Sequence, residues 1–393
     1  MSLRSFFRQH AAESVVLIDI GSASISGAYA RIDRAARPVL YYTARVPIRA
    51  RSATTGAADM EHALSELATM LVIRGAPVMA HAVGKGTIDK VLVSIAAPWQ
   101  ETRTRTERVH RPTPFRFTRR LMEDMVKKIT LPLPGYTQTN KMVVATLLNG
   151  YEVAEPFGKS AHTAEVIALS SSVVDAVAQT VTTIMRRTFH TDQVTLTAFV
   201  PVAYTVLRNL YPHEEDFLIM DVTGEATDLA LIKQGLLVEV ASVSSGLNTL
   251  RRAALAAGFS DSSSTESLRT VEEVALIDME HNPKFTQRMR VARDEWIDKL
   301  SEAFQALTVK YALPRAIFLL AGEEALGFLK HVLDDESDLQ RLWLSDDALP
   351  ILALDPGQFA RHVTYRDNAR GDTFLSLLAL YVAHCSYVTD THT

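Results

Sequence analysis

The sequence predicts an α/β fold made of two similar domains that face each other across a cleft. Two stretches, residues 15–32 and 217–235, follow one order: an apolar strand, an Asp, a turn of small residues and a second strand. Around them, short strands rich in β-branched residues alternate with segments of helical period. The chain has 393 residues, which is enough for two or more domains. A repeat of this kind indicates a duplicated domain.

The composition fits a folded protein and excludes several functional classes. Hydrophobic residues make up 47% and charged residues 22%, so the chain can bury a sizeable core. There are 41 Lys and Arg against 45 Asp and Glu, and this balance argues against nucleic acid as a partner. The single cysteine, Cys385, excludes a disulfide scaffold and a zinc site with several cysteines. No apolar run approaches the ~20 residues of a membrane-spanning helix, so we expect a cytoplasmic protein.

The first part of the chain is predicted to hold three strands, a helix and a fourth strand, followed by an inserted unit. Short turns between β-branched runs indicate the strands, and the apolar spacing of Met60, Leu64 and Leu67 indicates the helix. In chain order these elements are Val15–Ile20, Ser24–Ile32, Val39–Val46, Ala57–Ile73 and Val91–Ala97. Residues 101–165 then become rich in Arg and Pro without a long apolar run, which marks a separate small unit.

The second part of the chain contains the second copy of the repeat. Its predicted helices are Ser172–Phe189, Ala203–Leu210, Leu247–Ala257, a charged stretch at 268–313 interrupted at Asn282-Pro283, and Thr373–His384. Its predicted strands are Val194–Val200, the hairpin Phe217–Ile232, Leu236–Val243 and Ala316–Ala321. We therefore predict a first domain at 13–100 and 166–214, an inserted subdomain at 101–165, and a second domain at 215–388.

The two turns of the repeat have a composition that suits phosphate and a cation. A Gly after the strand permits a tight turn and a close approach, and the turn offers backbone N–H groups and hydroxyls to phosphate oxygens. Asp19 and Asp221 end the two strands, and a carboxylate approaches phosphate favourably only with a cation. Mg²⁺ binds through few carboxylates and keeps several waters, so two opposed Asp residues suit it.

Four stretches of the chain resemble the actin-like ATPase superfamily, and within it the branch of the cell-division protein FtsA and the type IV pilus assembly protein PilM. Besides the two phosphate turns, they are KVLVSIAAPW at 90–99, LNGYEVAEPFGKSA at 148–161, VTLTAFVPVAYTVLRNLYPHEEDFLIMDV at 194–222 and AIFLLAGEEALGFL at 316–329. These stretches occur in the same order as in the family over essentially the whole chain. The resemblance implies a duplicated actin-like (ribonuclease H-like) ATPase fold, two domains around a nucleotide cleft, with a small α+β subdomain inserted in the first.

The resemblance also implies a binding site for ATP and Mg²⁺. Asp19 and Asp221 would lie at the metal, and no catalytic residue is implied. The remaining implied nucleotide contacts are Gly21, Ser22 and Ser24 at the first phosphate turn, Thr223, Gly224 and Thr227 at the second, Gly246 at the next helix, Glu266 and Arg269 at the ribose and adenine, and Gly322 and Glu323 at the adenosine turn.

Three departures from the family pattern leave a second hypothesis open. Thr223 and Glu225 replace two glycines of the second phosphate turn, and a carboxylate at Glu225 repels phosphate unless it points away. Glu323 stands where a second Gly is usual. Residues Val200–Ala203 offer no polar side chain to position water, so we expect slow or negligible hydrolysis. The alternative is a scaffold whose nucleotide site has degenerated; a small-molecule kinase on the same fold lacks a candidate catalytic Asp.

The resemblance implies protein partners and an indirect membrane contact. FtsA-type proteins end in a basic amphipathic membrane helix, whereas this sequence ends in SYVTDTHT, so a PilM-like scaffold is expected at the inner face of the cell membrane through a partner. Self-association as a filament or dimer and binding to the cytoplasmic tail of a membrane protein are the expected contacts. The NGYEVAEPFG segment is closer to FtsA, so a division role stays open beside a pilus role. Seven arginines between Arg103 and Arg120 indicate either an anionic partner or an exposed edge strand.

Overall fold

The two copies of the repeat form the centres of two β-sheets. The computed structural model describes residues 12–33, 35–49, 56–129, 134–256, 283–334, 339 and 350–385, with the backbone alone for 283–286 and 385. The strands are β1 Glu13–Ile20, β2 Ser24–Ile32, β3 Val39–Pro47, β4 Lys90–Ile95, β5 Gln100–Arg116, β6 Tyr136–Leu148, β7 Tyr151–Glu152, β8 Ser160–Val174, β9 Val194–Ala198, β10 Phe217–Val222, β11 Thr227–Lys233, β12 Leu236–Val243, β13 Ala316–Leu320, β14 Ile351–Ala353 and β15 Thr364–Tyr365.

Nine α-helices lie among these strands in the described parts of the chain. They are α1 Ala57–Met70, α2 Ala76–Val83, α3 Arg119–Ile129, α4 Asp175–Phe189, α5 Phe199–Leu210, α6 Leu247–Ala256, α7 Pro283–Thr308, α8 Glu323–Asp334 and α9 Thr373–Cys385. A π-helical turn, Leu71–Gly75, joins α1 to α2, and a 3-10 turn, Pro356–Phe359, precedes β15.

The two central sheets have the same internal order, which confirms the predicted duplication. The first sheet has the order β15-β3-β2-β1-β4-β9 and the second β12-β11-β10-β13-β14. In each, an antiparallel meander of three strands is followed by a parallel neighbour of the first strand, β4 beside β1 and β13 beside β10. The apolar strands β1 and β10 lie at this junction and are buried almost throughout, as central strands with both faces covered are.

One apolar core joins the two sheets. It contains β1 and β2 residues from the first sheet, Phe217, Ile219 and Ala230 from the second, and the inner faces of α5 and α9. The rings of Phe199 on α5 and Phe374 on α9 lie 5.2 Å apart. Burying an aromatic side chain contributes on the order of 2–3 kcal/mol, so these two helices hold the domains together while the loops above them line the cleft.

The inserted unit is a separate sheet with its own small core. The order is β5-β8-β6-β7, and α3 packs Met125 and Val126 against Phe115, Phe117 and Val166. The sheet extends from Gln100 to Val174, beyond the predicted 101–165 on both sides, because β8 continues as a strand where a helix was expected from Ser172. The predicted domain boundaries stay a prediction.

The arginines of the insertion lie mostly on an edge strand, and several of them have partners. β5 is paired only with β8 in the sheet order. Arg103 pairs with Glu101, and Arg108 with Glu165 at 2.9 Å. The guanidinium of Arg111 lies 4.8 Å from the ring centre of Phe115. These contacts agree with the edge-strand interpretation of the arginine run.

The helical segment at 57–83 is longer than the sequence indicated. It is the one helix in the described residues that is long and apolar enough to cross a membrane by length and composition, with 27 residues. Here its buried residues, including Met60, Leu64 and Leu67, pack on the outer face of the first sheet, as core helices do. Gly75 allows the π-helical turn to pack closely on the sheet, since a Cβ there would lie 2.6 Å from the ring of Tyr29.

The last described segment returns to the first sheet. β15 pairs in parallel with β3, and α9 packs against β1, β2 and α5. The predicted second domain, 215–388, includes this segment and so places it with the second sheet. Strand pairing between residues more than 300 positions apart gives no local signal in the sequence, which explains the difference.

Candidate functional site

The two predicted phosphate turns meet face to face between the two central sheets. The Ser22 hydroxyl donates to Thr223 Oγ1 at 3.0 Å, and the Glu225 N–H donates to Ser22 Oγ at 2.7 Å. Gly224 is required by this approach, because a Cβ on it would lie 2.7 Å from the backbone nitrogen of Ala23. The turns are therefore hydrogen-bonded directly to each other.

Asp19 ends β1 beside the first turn and is 4% exposed. Its Oδ1 accepts a hydrogen bond from the Ser94 hydroxyl on β4 at 2.5 Å. The pKa of Asp19 is raised to about 7, chiefly by burial and also by the Asp372 carboxylate, whereas Ser94 and the Arg45 guanidinium act to lower it. The parallel pairing of β1 with β4 sets Ser94 directly beside Asp19.

Asp221 occupies the equivalent place on β10 and is 1% exposed. Neither of its carboxylate oxygens has a hydrogen-bond partner. Burial raises the pKa of Asp221 well above its ordinary value, with further contributions from the charges of Asp228 and Asp19. An ionised carboxylate without partners is costly in a protein interior, so this residue needs a proton or a cation.

Asp228 is a third buried carboxylate that the sequence reasoning missed. It lies opposite Asp221 in the antiparallel register of β10 and β11. Gln100 Nε2, at the start of the inserted unit, donates to Asp228 Oδ2 at 3.0 Å. The pKa of Asp228 is raised to about 6 because of burial, although hydrogen bonds with Ser242 and Gln100 act to lower it. The signal was present as the second Asp of DVTGEATD, but its relation to Asp221 depends on the hairpin register.

Asp19 and Asp221 line one small cavity between the turns, and their donor set fits Mg²⁺. The cavity measures about 20 Å³, which is room for about one water molecule. Carboxylate oxygens are hard ligands, and Mg²⁺ takes only one or two of them with waters and phosphate oxygens as the rest. No cluster of three or more metal-ligating side chains occurs in the part of the chain that the structure describes. A nucleotide fits only if the two turns separate.

A larger cavity of about 400 Å³ adjoins the small one on the side of the predicted adenosine turn. The two cavities share Arg45, Glu324 and Phe374 as lining residues. Gly322 lines the small cavity and Glu323 the large one. A Cβ on Gly322 would lie 2.6 Å from Glu324 Oε1, so the Glu324 side chain packs directly against this glycine.

The structure brings most of the predicted residues together, in two different roles. Those lining the small cavity are Asp19, Gly21, Ser24, Asp221, Thr223 and Gly322. Two others support the second turn from behind. The Thr227 hydroxyl donates to Ser245 O at 2.9 Å and accepts from Trp296 Nε1 at 3.1 Å. Gly246 allows close packing, since a Cβ on it would lie 2.4 Å from Thr223 O. Glu266 and Arg269 lie outside the described residues.

Glu225, which the sequence suggested would repel phosphate, has its charge compensated nearby. Arg252 Nη1 lies 3.0 Å from both of its carboxylate oxygens, and Asn248 Nδ2 donates to Oε1 at 2.8 Å. Both partners lie on α6, the helix that begins after Gly246. The departure at this position is thus matched by residues 23 and 27 positions further along the chain.

Comparisons with known proteins agree with this fold. No protein-family model and no curated protein matches the sequence. A chain in the solved structure of the PilM-PilN type IV pilus biogenesis complex has a TM-score of 0.61 and 16% identity, over 94% of this chain and 98% of that chain. Ethanolamine utilization protein EutJ from Carboxydothermus hydrogenoformans has a TM-score of 0.44 and 13% identity, over 97% and 93%. A Bacteroides thetaiotaomicron protein with an actin-like ATPase fold and unknown function has a TM-score of 0.40 and 8% identity, over 97% and 99%.

These observations define the class of fold. The chain has the duplicated actin-like α/β fold with an inserted subdomain, as the sequence predicted. At the level of the fold it is similar to the chain of the PilM-PilN complex, in agreement with the predicted resemblance.

Proposed function

We propose that this protein is a PilM-like member of the actin-like fold that binds ATP with Mg²⁺ and serves as an assembly scaffold. The observation that carries the proposal is the pair of buried carboxylates, Asp19 and Asp221, at the ends of two facing phosphate turns. Burying both lowers the stability of the apo protein, and the unpartnered oxygens of Asp221 make this cost large. A bound divalent cation would shield these charges, and it would connect them to phosphate oxygens.

The residues that would hold the nucleotide follow from the two cavities. Phosphate oxygens fit the side of the small cavity, which Gly21, Ser24 and Thr223 of the two turns line. The ribose and adenine fit the side of the larger cavity, beside the turn at 322–323. Glu266 and Arg269 stay predicted contacts of the ribose and adenine. Opening the site requires that the Ser22–Thr223 and Glu225–Ser22 hydrogen bonds break, which is a hinge motion between the domains.

Hydrolysis is proposed to be slow or negligible. The start of α5 beside the site consists of Val200, Pro201, Val202 and Ala203, and all four are buried. None of them has a side chain that can orient a water molecule. The site therefore suits a protein that changes conformation with nucleotide binding more than one that turns over rapidly.

The proposed partner is the cytoplasmic segment of a membrane protein, with self-association as a second contact. The support is the similarity to a chain from a complex named for PilM and PilN. In this proposal the protein is cytoplasmic and reaches the inner face of the membrane through that partner. A pilus role is preferred over a division role because one solved structure with a similar fold, at a TM-score of 0.61, is of a type IV pilus biogenesis complex.

Calorimetric titration with ATP tests the proposal. We expect a Kd on the order of micromolar with Mg²⁺, a much weaker signal without it, and loss of at least about 10-fold in affinity for Asp19→Ala and Asp221→Asn. Asp216→Asn, which changes a carboxylate far along the second sheet and paired with Lys233, is the matched control. No heat with the wild-type protein at any Mg²⁺ concentration would reject nucleotide binding.

The alternative function is a scaffold on the same fold without a nucleotide. The observation that favours it is the direct hydrogen bonding between the two turns around a cavity of about 20 Å³. In that case the titration gives no heat, and Asp221→Asn stabilises the protein without any loss of partner binding. Pull-down of membrane-protein cytoplasmic segments with wild type and Asp221→Asn separates the two functions.

A further inference from the structure

The walls of the small cavity carry more negative than positive charge. Its lining includes the carboxylates of Asp19, Asp221 and Glu324, with Arg45 as the single cationic side chain in the described lining. Glu324 is 8% exposed and lies in the first turn of α8, the helix that follows β13. A polyphosphate is itself strongly anionic, so it can enter such a site only beside cations. One divalent ion does not balance three carboxylates and a triphosphate.

Arg45 lies where a phosphate-binding cation is needed. In the register of the first sheet, Ser26 on β2 pairs with Asp19 on one side and with Arg45 on β3 on the other. Arg45 therefore lies in one row with Asp19 across the sheet. Its Nη1 donates to Ser24 Oγ at 2.7 Å, and Ser24 belongs to the first phosphate turn. The guanidinium is thereby held against the phosphate turn itself.

The surroundings of Arg45 hold the guanidinium in place and leave donors free. Its Nη2 donates to Asp372 Oδ2 at 2.6 Å, and its Cζ lies 5.6 Å from the ring centre of Phe374. A guanidinium has five N–H donors in a planar fork, and these two bonds use only part of them. Arg45 also lines both cavities, so it stands where the phosphates would meet the nucleoside.

We propose that Arg45 binds the polyphosphate of the nucleotide and makes the site select nucleoside di- and triphosphates over monophosphates. This inference rests on the proposed nucleotide binding. A planar fork can contact two phosphate oxygens while the ion pair with Asp372 persists. Removal of a charge-assisted hydrogen bond weakens binding about 10- to 100-fold.

Asp372 connects Arg45 to α9, a helix of the core that joins the two domains. Its Oδ1 accepts from the Leu375 N–H at 3.1 Å in the first turn of α9. α9 packs against β1, β2 and α5 in the core that joins the domains. A phosphate that binds Arg45 would weaken the Arg45–Asp372 ion pair. Because Asp372 is hydrogen-bonded to the first turn of α9, this change would reach the helix that packs between the two sheets.

The test compares ATP, ADP and AMP binding by calorimetry in wild type, Arg45→Gln and Arg45→Lys. Arg45→Gln is expected to lose about 10- to 100-fold in affinity for ATP·Mg and ADP·Mg and less than about threefold for AMP. Arg45→Lys is expected to recover part of the loss, because it keeps the charge but not the fork. Arg293→Gln is the matched control, since this arginine is also paired with an aspartate, Asp294, and lines neither cavity.

A second variant guards against a folding defect. Arg45→Gln leaves Asp372 without its ion-pair partner, so Arg45→Gln with Asp372→Asn restores neutrality. The double variant is expected to melt within a few degrees of wild type and still to bind ATP·Mg at least about 10-fold more weakly. ATP affinity in both Arg45 variants equal to that of wild type overturns this inference and leaves the proposed function intact. No ATP binding by wild type overturns both.

Discussion

The single residue Asp221 suits the proposed cation site but lowers the stability of the folded protein. Both of its carboxylate oxygens are buried without a hydrogen-bond partner. Its folded pKa is raised, so between the unfolded value near 4 and the raised value the folded state binds the extra proton. Stability from this group is fully present in acid and decreases as pH rises through that window. The same holds for Asp19, whose window ends at about pH 7.

We therefore expect Asp221→Asn to stabilise the protein in Mg²⁺-free buffer. Replacing the charge with a neutral amide should raise the free energy of unfolding by about 1–3 kcal/mol at pH 8, and the gain should shrink toward pH 4. Urea unfolding at several pH values measures it. Asp216→Asn is the control with opposite sign, because Asp216 has a lowered pKa in its ion pair with Lys233 and stabilises the fold above pH 4. A gain for Asp221→Asn that is constant with pH contradicts the argument.

The helical segment at 57–83 packs closely on the first sheet at one glycine, Gly75. Gly75 lies in the π-helical turn between α1 and α2, where a Cβ would lie 2.6 Å from Tyr29 Cδ2 and 3.0 Å from Tyr42 Cδ1. A helical Gly→Ala change normally gains about 1 kcal/mol from propensity, whereas forcing extra volume into packed rings costs about 1–3 kcal/mol. The steric cost is the larger of the two.

Gly75→Ala is accordingly expected to lower the free energy of unfolding by about 1–2 kcal/mol. Thermal unfolding followed by near-ultraviolet circular dichroism reports both the loss of stability and the displaced tyrosines. Gly56→Ala provides the comparison, because a Cβ at the start of α1 has only Asp59 Oδ2 nearby, at 3.6 Å. Equal effects at the two glycines would mean that contact with the tyrosine rings is not the cause.

At the scale of the whole molecule, polar contacts close the cleft. Ser22 connects the first turn to Thr223 and to the N–H of Glu225. Gln100 connects the inserted sheet to Asp228, and Thr102 links Gln100 to Ser171 on β8 through hydrogen bonds of 2.8 Å. The insertion and the second phosphate hairpin are therefore parts of one hydrogen-bonded network.

Ser22→Ala is expected to loosen the contact between the two turns. It removes the acceptor of the Glu225 N–H, so hydrogen exchange at that amide should become at least about 10-fold faster, consistent with the loss of one to two kcal/mol of local protection. Mass-spectrometric exchange on peptides covering 222–226 measures it. Ser26→Ala is the matched control, since the Ser26 hydroxyl is buried without a partner. Unchanged exchange in Ser22→Ala would show that another contact keeps the cleft closed.

The duplicated hairpins, the two turns and the acidic residues Asp19 and Asp221 could be predicted from the sequence alone. These features are local, because strand pattern, turn composition and the end of a strand can each be read from a few consecutive residues. The facing arrangement of the turns followed from the repeat and the family resemblance.

The other residues of the site are brought together by folding and could not be predicted. Arg45, Ser94, Asp228, Glu324 and Asp372 reach it from different strands and helices, through registers that no short segment encodes. The return of β15 to the first sheet has the same origin. Pairing between distant strands depends on the whole buried surface, and for that reason a charge such as Arg45 acquires its place only when the chain is folded.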